Sequence, residues 1–171
     1  METKNLSFEP HDPKHLLALF QSSEKYEDAS GRRIADGVRE FLKSASPDFI
    51  TQLQNATAPD PWKIGFAILH KIDNAVIGMC GVTGPPDPDG VVEIGYSIAP
   101  SYEGKGYATE AANGLIDFAG NDSRVKTIRA HTLAETNAST RVLEKCGFTK
   151  VSETVDPENN LRVWRWERPT K

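Results

Sequence analysis

Val92, Ile94, Tyr96 and Ile98 alternate with Glu93, Gly95 and Ser97, the period-two pattern of a strand, and Pro100 stops it. Past Gly106 the spacing changes: Ala108, Ala111, Ala112, Leu115, Ile116 and Ala119 form the stripe of a helix packed on a sheet. Upstream, apolar runs after Trp62 and from Ala75 to Thr83 flank Asp73-Asn74 and predict a β-hairpin. Gly84 to Gly90, with three prolines and two aspartates, is a stiff loop joining that hairpin to the next strand. Downstream, Lys126 to Thr132 reads as a short strand. Asn137 then caps a helix over Ala138 to Cys146, which Gly147 is positioned to end. Phe148 to Thr154 and Leu161 to Trp166 flank the turn Asp156 to Asn160 as two closing strands, with Trp164 and Trp166 on one face.

The first third is less regular. Leu6 to Phe8 is a short candidate strand, and Asp12 with Pro13 opens a helix that runs to Gln21. Glu24 to Arg33 is polar and contains Gly31, Ile34 to Leu42 has helical character, and Ser44 to Pro61 holds one apolar cluster at Phe49, Ile50 and Leu53. Helices are expected in this stretch. No internal repeat or low-complexity tract is evident.

The chain has 171 residues, 38% hydrophobic and 26% charged, enough for one well-buried core and too few for two ordinary domains. A single domain over residues 1–171 is therefore expected. The net charge of −4 is spread along the sequence, which argues against a broad nucleic-acid surface. No run approaches the roughly 18 apolar residues of a membrane span, and METKNLSFEP lacks the apolar core of a signal peptide. A soluble, cytoplasmic protein with no membrane partner is the expectation. The two cysteines, Cys80 and Cys146, have no C-x-x-C spacing and there are no paired histidines, so reduced thiols and no metal site are expected.

The junction Glu93 to Ala112 carries the chemistry. Its loop, Ser101 to Gly106, feeds a helix start, where about four N–H groups lack partners and the dipole leaves about half a positive charge. Glycines there let a phosphate meet the backbone closely. A Rossmann-type dinucleotide site is the competing reading. It fails because Thr109 stands where a third glycine belongs and a hairpin, not a parallel βαβ unit, precedes the strand.

The order of elements and three motifs resemble the GNAT superfamily of acyl-CoA-dependent N-acetyltransferases, in the branch that includes ribosomal-protein N-terminal (alanine/serine) acetyltransferases. GYSIAPSYEGKGYATEA is similar to the family's pyrophosphate signature: Gly106 and Ala108 match, while Glu103 replaces the usual arginine or glutamine. ETNASTRVLEKCGF resembles the branch's asparagine-serine helix and K-x-G-F turn, and GPPDPDGVVEIGY resembles a hairpin segment of uncharacterised bacterial members. The resemblance covers Trp62 to Trp166. It implies an α/β (α+β) fold with a central mixed, mostly antiparallel sheet of about six to seven strands flanked by helices. It also implies direct transfer of an acetyl group from acetyl-CoA to a primary amine, at a protein N-terminus or on a small molecule. A non-catalytic acyl-CoA-binding module is the alternative, and a homodimer is left open.

By that resemblance the diphosphate rests on the main chain of Glu103, Gly104, Lys105, Gly106, Tyr107 and Ala108, with Lys105 able to add charge. The pantetheine arm pairs with the backbone at Ile98 and Ala99, and Asn137 touches it. Direct transfer needs a base for the ammonium, donors for the oxyanion and a proton for the thiolate. Glu93 is the base candidate, because its neighbours on that strand face, Gly95 and Ser97, are small; Glu153 and Glu158 are reserves. The family's usual acid, a tyrosine, is replaced by Leu143, and the branch points instead to Ser139. His131 reads as a structural hydrogen-bonding residue and Cys146 as packing. The acceptor pocket is expected from the early helices and the loops Gly84 to Gly90 and Asp156 to Asn160. A protein N-terminus, a polyamine, an aminoglycoside or another small amine fits equally at this stage.

Overall fold

Side-chain caps open most of the helices in the computed structural model, which describes residues 1–171. Strand β1 (Leu6–Pro10) leads into α1 (Pro13–Gln21), where Asp12 accepts from Lys14 N at 2.8 Å and Pro13 takes the first helical position. Ser22 caps α2 (Ser23–Ser30), and Gly31 ends it at φ 68°. Ser46 and Asp60 cap α3 (Pro47–Asn55) and α4 (Pro61–Ile64).

Two expectations change here. Ile34 to Leu42 is not an α-helix: it holds the end of β2 (Arg33–Ile34) and most of a 3₁₀ turn at Arg39–Ser44. Gly37, at φ 92°, breaks the helical run where the backbone passes Pro100 so closely that a Cβ would lie 2.8 Å from the ring. The hairpin starts at Phe66, not at Trp62, because the Asp60-Pro61 cap winds a helical turn first.

The remaining strands are β3 (Phe66–His70), β4 (Ala75–Val82), β5 (Val91–Ile98), β6 (Thr127–Leu133), β7 (Thr149–Val155) and β8 (Arg162–Pro169). They form one sheet in the order β1-β3-β4-β5-β6-β8-β7, with β2 beside the start of β4. The pairings are antiparallel except β5 with β6 and β2 with β4. A parallel pair needs a crossover. Here α5 (Tyr107–Gly120) supplies it, and α6 (Ala138–Lys145) connects β6 to β7. This is the mixed, mostly antiparallel α/β architecture expected from the sequence.

Helices α5 and α6 cover one face, burying Phe8, Ile68, Ile94, Leu115, Ile128 and Leu143. On α5, Gly114 lets the helix lie against Phe8, whose ring would be 3.2 Å from an added Cβ. The N-terminal helices cover the other face over β3 and β4, burying Leu16, Leu19, Leu53, Leu69 and Val76. No helix is long and apolar enough to cross a membrane.

Candidate active site

Strands β5 and β6 pair for only three residues, Val91–Glu93 with Thr127–Arg129. Beyond that point β5 stays with β4 to Ile98, while β6 stays with β8 to Leu133. A gap opens between them. Thr83 N donates to Glu93 O and Ala99 N to Ile77 O, so residues of that parity bond to β4. In an antiparallel ladder the main-chain groups alternate sides, so those of Ile94, Tyr96 and Ile98 face the gap. Ala99 corrects the expectation from the sequence: its N–H is given to Ile77 and its carbonyl accepts from Tyr102 N, so the free main chain belongs to Ile98.

The loop at the mouth of the gap is open and glycine-bearing. Gly104 and Gly106 have φ 72° and 85°, and a Cβ on either would meet nothing within 4 Å. Gly106 caps α5 without a side-chain bond, and the helical ladder starts with Glu110 N to Gly106 O. The N–H groups of Gly104, Lys105, Gly106, Tyr107, Ala108 and Thr109 consequently donate to no other group of the protein. Such N–H groups at a helix start attract phosphate.

A polar chain frames this loop. Tyr102 donates to Asp73 Oδ2 at 2.7 Å, Asp73 lies 3.0 Å from His70 Nδ1, and His70 Nε2 is 2.8 Å from the Tyr107 hydroxyl. The Tyr102 hydroxyl holds the Asp73 carboxyl below its usual range, and the same bond pushes the Tyr102 phenol up. The β3–β4 turn thereby fixes residues on both sides of the glycines.

A cleft of about 510 Å³ runs from the loop between β5 and α6, lined by Ile98, Glu103, Gly106, Ala108, Ser139 and Arg141 among others. On the opposite face a second cavity, of about 630 Å³, is bordered by α1, the 3₁₀ turn, α3 and the floor formed by Gly81, Gly95 and Ser97. Phe41, Tyr96 and Ser97 line both. The two cavities meet at these residues, two of them on β5 beyond its pairing with β6.

Ser139 lines the cleft, and its hydroxyl is free because capping falls to Asn137 and Thr140, which bond reciprocally at 3.0 and 3.1 Å. Asn137 Oδ1 is thus committed to the helix. Glu103 lines the cleft, whereas Lys105 turns back to Ser101 O at 3.2 Å over its own loop. Glu93 borders neither cavity: its Oε1 is 2.8 Å from His131 Nδ1, and it lies on the open sheet face two residues before Gly95. Glu153 is bound to Trp164 Nε1 at 2.9 Å and to Arg162 on the β7–β8 hairpin, and Glu158 sits in the turn, both away from the cavities. The loops Gly84 to Gly90 and Asp156 to Asn160, expected to build the acceptor pocket, do not line the second cavity either; the early segments His11 to Leu16 and Phe41 to Gln52 do. Cys80 and Cys146 are buried with thiols pushed up by desolvation, and Cys146 Sγ rests 3.8 Å from Thr109 O.

Sequence reading missed Arg141 and Lys145, which stand one turn apart on α6, line the cleft and make no ion pair. Their i, i+4 spacing within the Asn137 helix was the available signal.

A family model described as an acetyltransferase (GNAT) domain matches residues 5–149. The chain belongs to the GNAT acetyltransferase family. The family uses acetyl-CoA as acyl donor. Among curated relatives, the uncharacterized N-acetyltransferase YjdG of Bacillus subtilis (strain 168) is 39% identical over 82 residues, covering 47% of this chain and 49% of that protein. The match thus spans about half the length of that relative. Among solved structures, the ribosomal-protein-S5-alanine acetyltransferase from Vibrio fischeri superposes with TM-score 0.67 at 17% identity, over 100% of this chain and 96% of that one. The ribosomal L7/L12 alpha-N-protein acetyltransferase RimL, in complex with coenzyme A, gives 0.66 at 17%, over 98% and 95%. At these identities the likeness shows the fold.

Proposed function

We propose that this GNAT domain transfers an acetyl group from acetyl-CoA directly to a primary amine, on a small molecule or at a protein N-terminus. One observation carries the reading: six consecutive unpaired N–H groups, 104 through 109, stand at the mouth of a cleft that meets a second cavity across a gap in the sheet. In this reading the diphosphate binds the loop N–H groups and the pantetheine arm runs along the free edge of β5 at Ile98. The thioester then lies at Tyr96 and Ser97, with the amine arriving through the opposite cavity.

The amine nitrogen attacks the thioester carbon, a C–N bond forms and the C–S bond breaks. Main-chain N–H groups on the β5 edge stabilise the oxyanion. Glu93 takes the ammonium proton through water, being about 7 Å along the strand from Gly95, and His131 orients its carboxylate. Ser139 relays the second proton of the attacking nitrogen to the departing thiolate, taking one as it gives one so that its free hydroxyl is restored. The names of the relatives favour this enzyme over a non-catalytic acyl-CoA-binding module. A thiol-release assay with acetyl-CoA over a panel of amines and N-terminal peptides tests it, with acetylated product identified by mass. Tight CoA binding with no release on any acceptor would favour the module.

A further inference from the structure

Resting on that reading of the second cavity, we propose that His11 is the specificity-determining residue of the acceptor site, and that the acceptor is a compact primary amine with an apolar body and one hydrogen-bonding group for the imidazole.

His11 lies between the end of β1 and the cap of α1, held by its own N–H to Gly65 O at 3.0 Å. Only 5% of the residue is exposed, it lines the cavity, and neither ring nitrogen bonds to any group of the protein. Neither nitrogen is sealed from solvent, so both open on the cavity, where a ligand with a complementary group can take the place of water. Burial brings its pKa down to about 4, so at neutral pH the ring is uncharged, with one N–H donor and one lone pair.

The rest of the wall sets the body of the ligand. Leu16, Phe41, Leu42, Phe49, Ile64 and Met79 are apolar. The charged lining residues are Asp48, exposed at the start of α3, and Lys63, which pairs with Asp60 at 3.7 Å. A polyamine or an aminoglycoside brings several ammonium groups, each needing a carboxylate partner once desolvated, and this wall offers one. The volume of about 630 Å³ suits a small ligand or the terminal residue of a peptide. An amine beside an aromatic or branched side chain, with a hydroxyl or amide within reach of the ring, satisfies both features.

The test compares phenethylamine, tyramine, phenylalaninamide, a tetrapeptide beginning with phenylalanine, and spermidine, on wild type, His11→Phe and His11→Asn. Turnover is read by thiol release. Acceptor binding to the CoA-loaded protein is read by calorimetry, independently of turnover. Wild type should favour the apolar monoamines over spermidine by at least about tenfold in kcat/KM. His11→Phe should weaken tyramine or phenylalaninamide roughly tenfold in KM and binding while leaving phenethylamine and CoA nearly unchanged, and His11→Asn should restore part of the loss. The peptide separates a chain end from a free amine. Preference for spermidine, or equal losses for tyramine, phenylalaninamide and phenethylamine in His11→Phe, overturns the proposal. Absence of turnover with His11-dependent binding intact instead sinks the transferase reading and leaves the His11 site standing.

Discussion

Gly106→Ala separates a ligand effect from backbone strain, because the fold contains a matched control. Gly31 and Gly106 have φ 68° and 85°, and a Cβ at either meets no atom within 4 Å. Gly31 ends α2, whereas Gly106 lines the cleft. Placing alanine in this left-handed region costs about 1–2 kcal/mol, and at this chain length each kcal/mol lowers Tm by about 2–4 °C. Both variants should therefore melt about 2–8 °C below wild type. Only Gly106→Ala puts a methyl group where the diphosphate must approach the N–H groups of 104 to 109. If two charge-assisted bonds are lost, at about 1.5–3 kcal/mol each, CoA affinity falls by roughly 10² to 10⁴. Calorimetric titration with CoA, alongside pantetheine, which lacks the phosphates, gives the readout: pantetheine binding should be nearly unchanged. Folded Gly106→Ala protein that binds CoA within threefold of wild type would refute the phosphate assignment.

Glu93→Gln should lower kcat by roughly 10² to 10⁴ with CoA affinity intact, and Ser139→Ala should lower it less because water can reach the sulfur; a normal rate in Glu93→Gln removes the base role. Removing both cations on α6, Arg141→Ala with Lys145→Ala, should weaken CoA by about tenfold at low salt and by much less near 1 M, and a salt-independent loss would argue against charge attraction. Glu110 accepts from Thr3, from both nitrogens of Asn5 and from Leu6 N, tying the N-terminal segment to α5. Burial pushes its pKa up, but these hydrogen bonds outweigh that and leave it lowered. Its folded pKa thus lies below the unfolded value of about 4.3, so its stabilisation is complete above that pH and disappears as pH falls through the folded value. The Tm gap between wild type and Glu110→Gln should hold from pH 8 to about pH 5.5 and narrow as pH falls below about 4.3, and a pH-independent gap would contradict this.

The parts of the fold written in local chemistry were the legible ones. Asp12-Pro13, Asn137 and Gly147 set helix ends through bonds to neighbours a few residues away, and the alternation from Val92 to Ile98 follows from one face being buried. The role of Gly37 was not legible, since what excludes a side chain there is Pro100, distant in sequence. The same divide runs through the site. The glycine loop announces itself because its N–H groups and φ angles are local. His11, Phe41, Arg141 and Lys145 come to the cavities only through the stacking of helices on the two sheet faces, which residue types alone do not encode. Ala99 shows the finer limit: the alternation gives the face of a side chain, but which main-chain groups are free depends on the partner strand.

The short β5–β6 pairing links this topology to the chemistry. A parallel pair must be joined by a crossover, and α5 begins nine residues after β5 ends, so its N-terminus sits at the C-terminal end of the strand. Had β6 followed β5 to Ile98, the main-chain groups of Ile94, Tyr96 and Ile98 would be sealed in a ladder and the sheet would divide the two cavities. All seven residues of β6 pair with β8 on its other edge, which holds β6 in the C-terminal half while β5 remains with β4. The resulting gap leaves a hydrogen-bonding edge in the one place where a ligand on the α5 face can reach a ligand on the α1 face. On the transferase reading, donor and acceptor are then oriented by separate walls, and their meeting at Tyr96 and Ser97 replaces a bimolecular encounter by a fixed approach. The same reading lets acceptor choice change through residues such as His11 and Phe49 without disturbing the loop proposed to hold the donor.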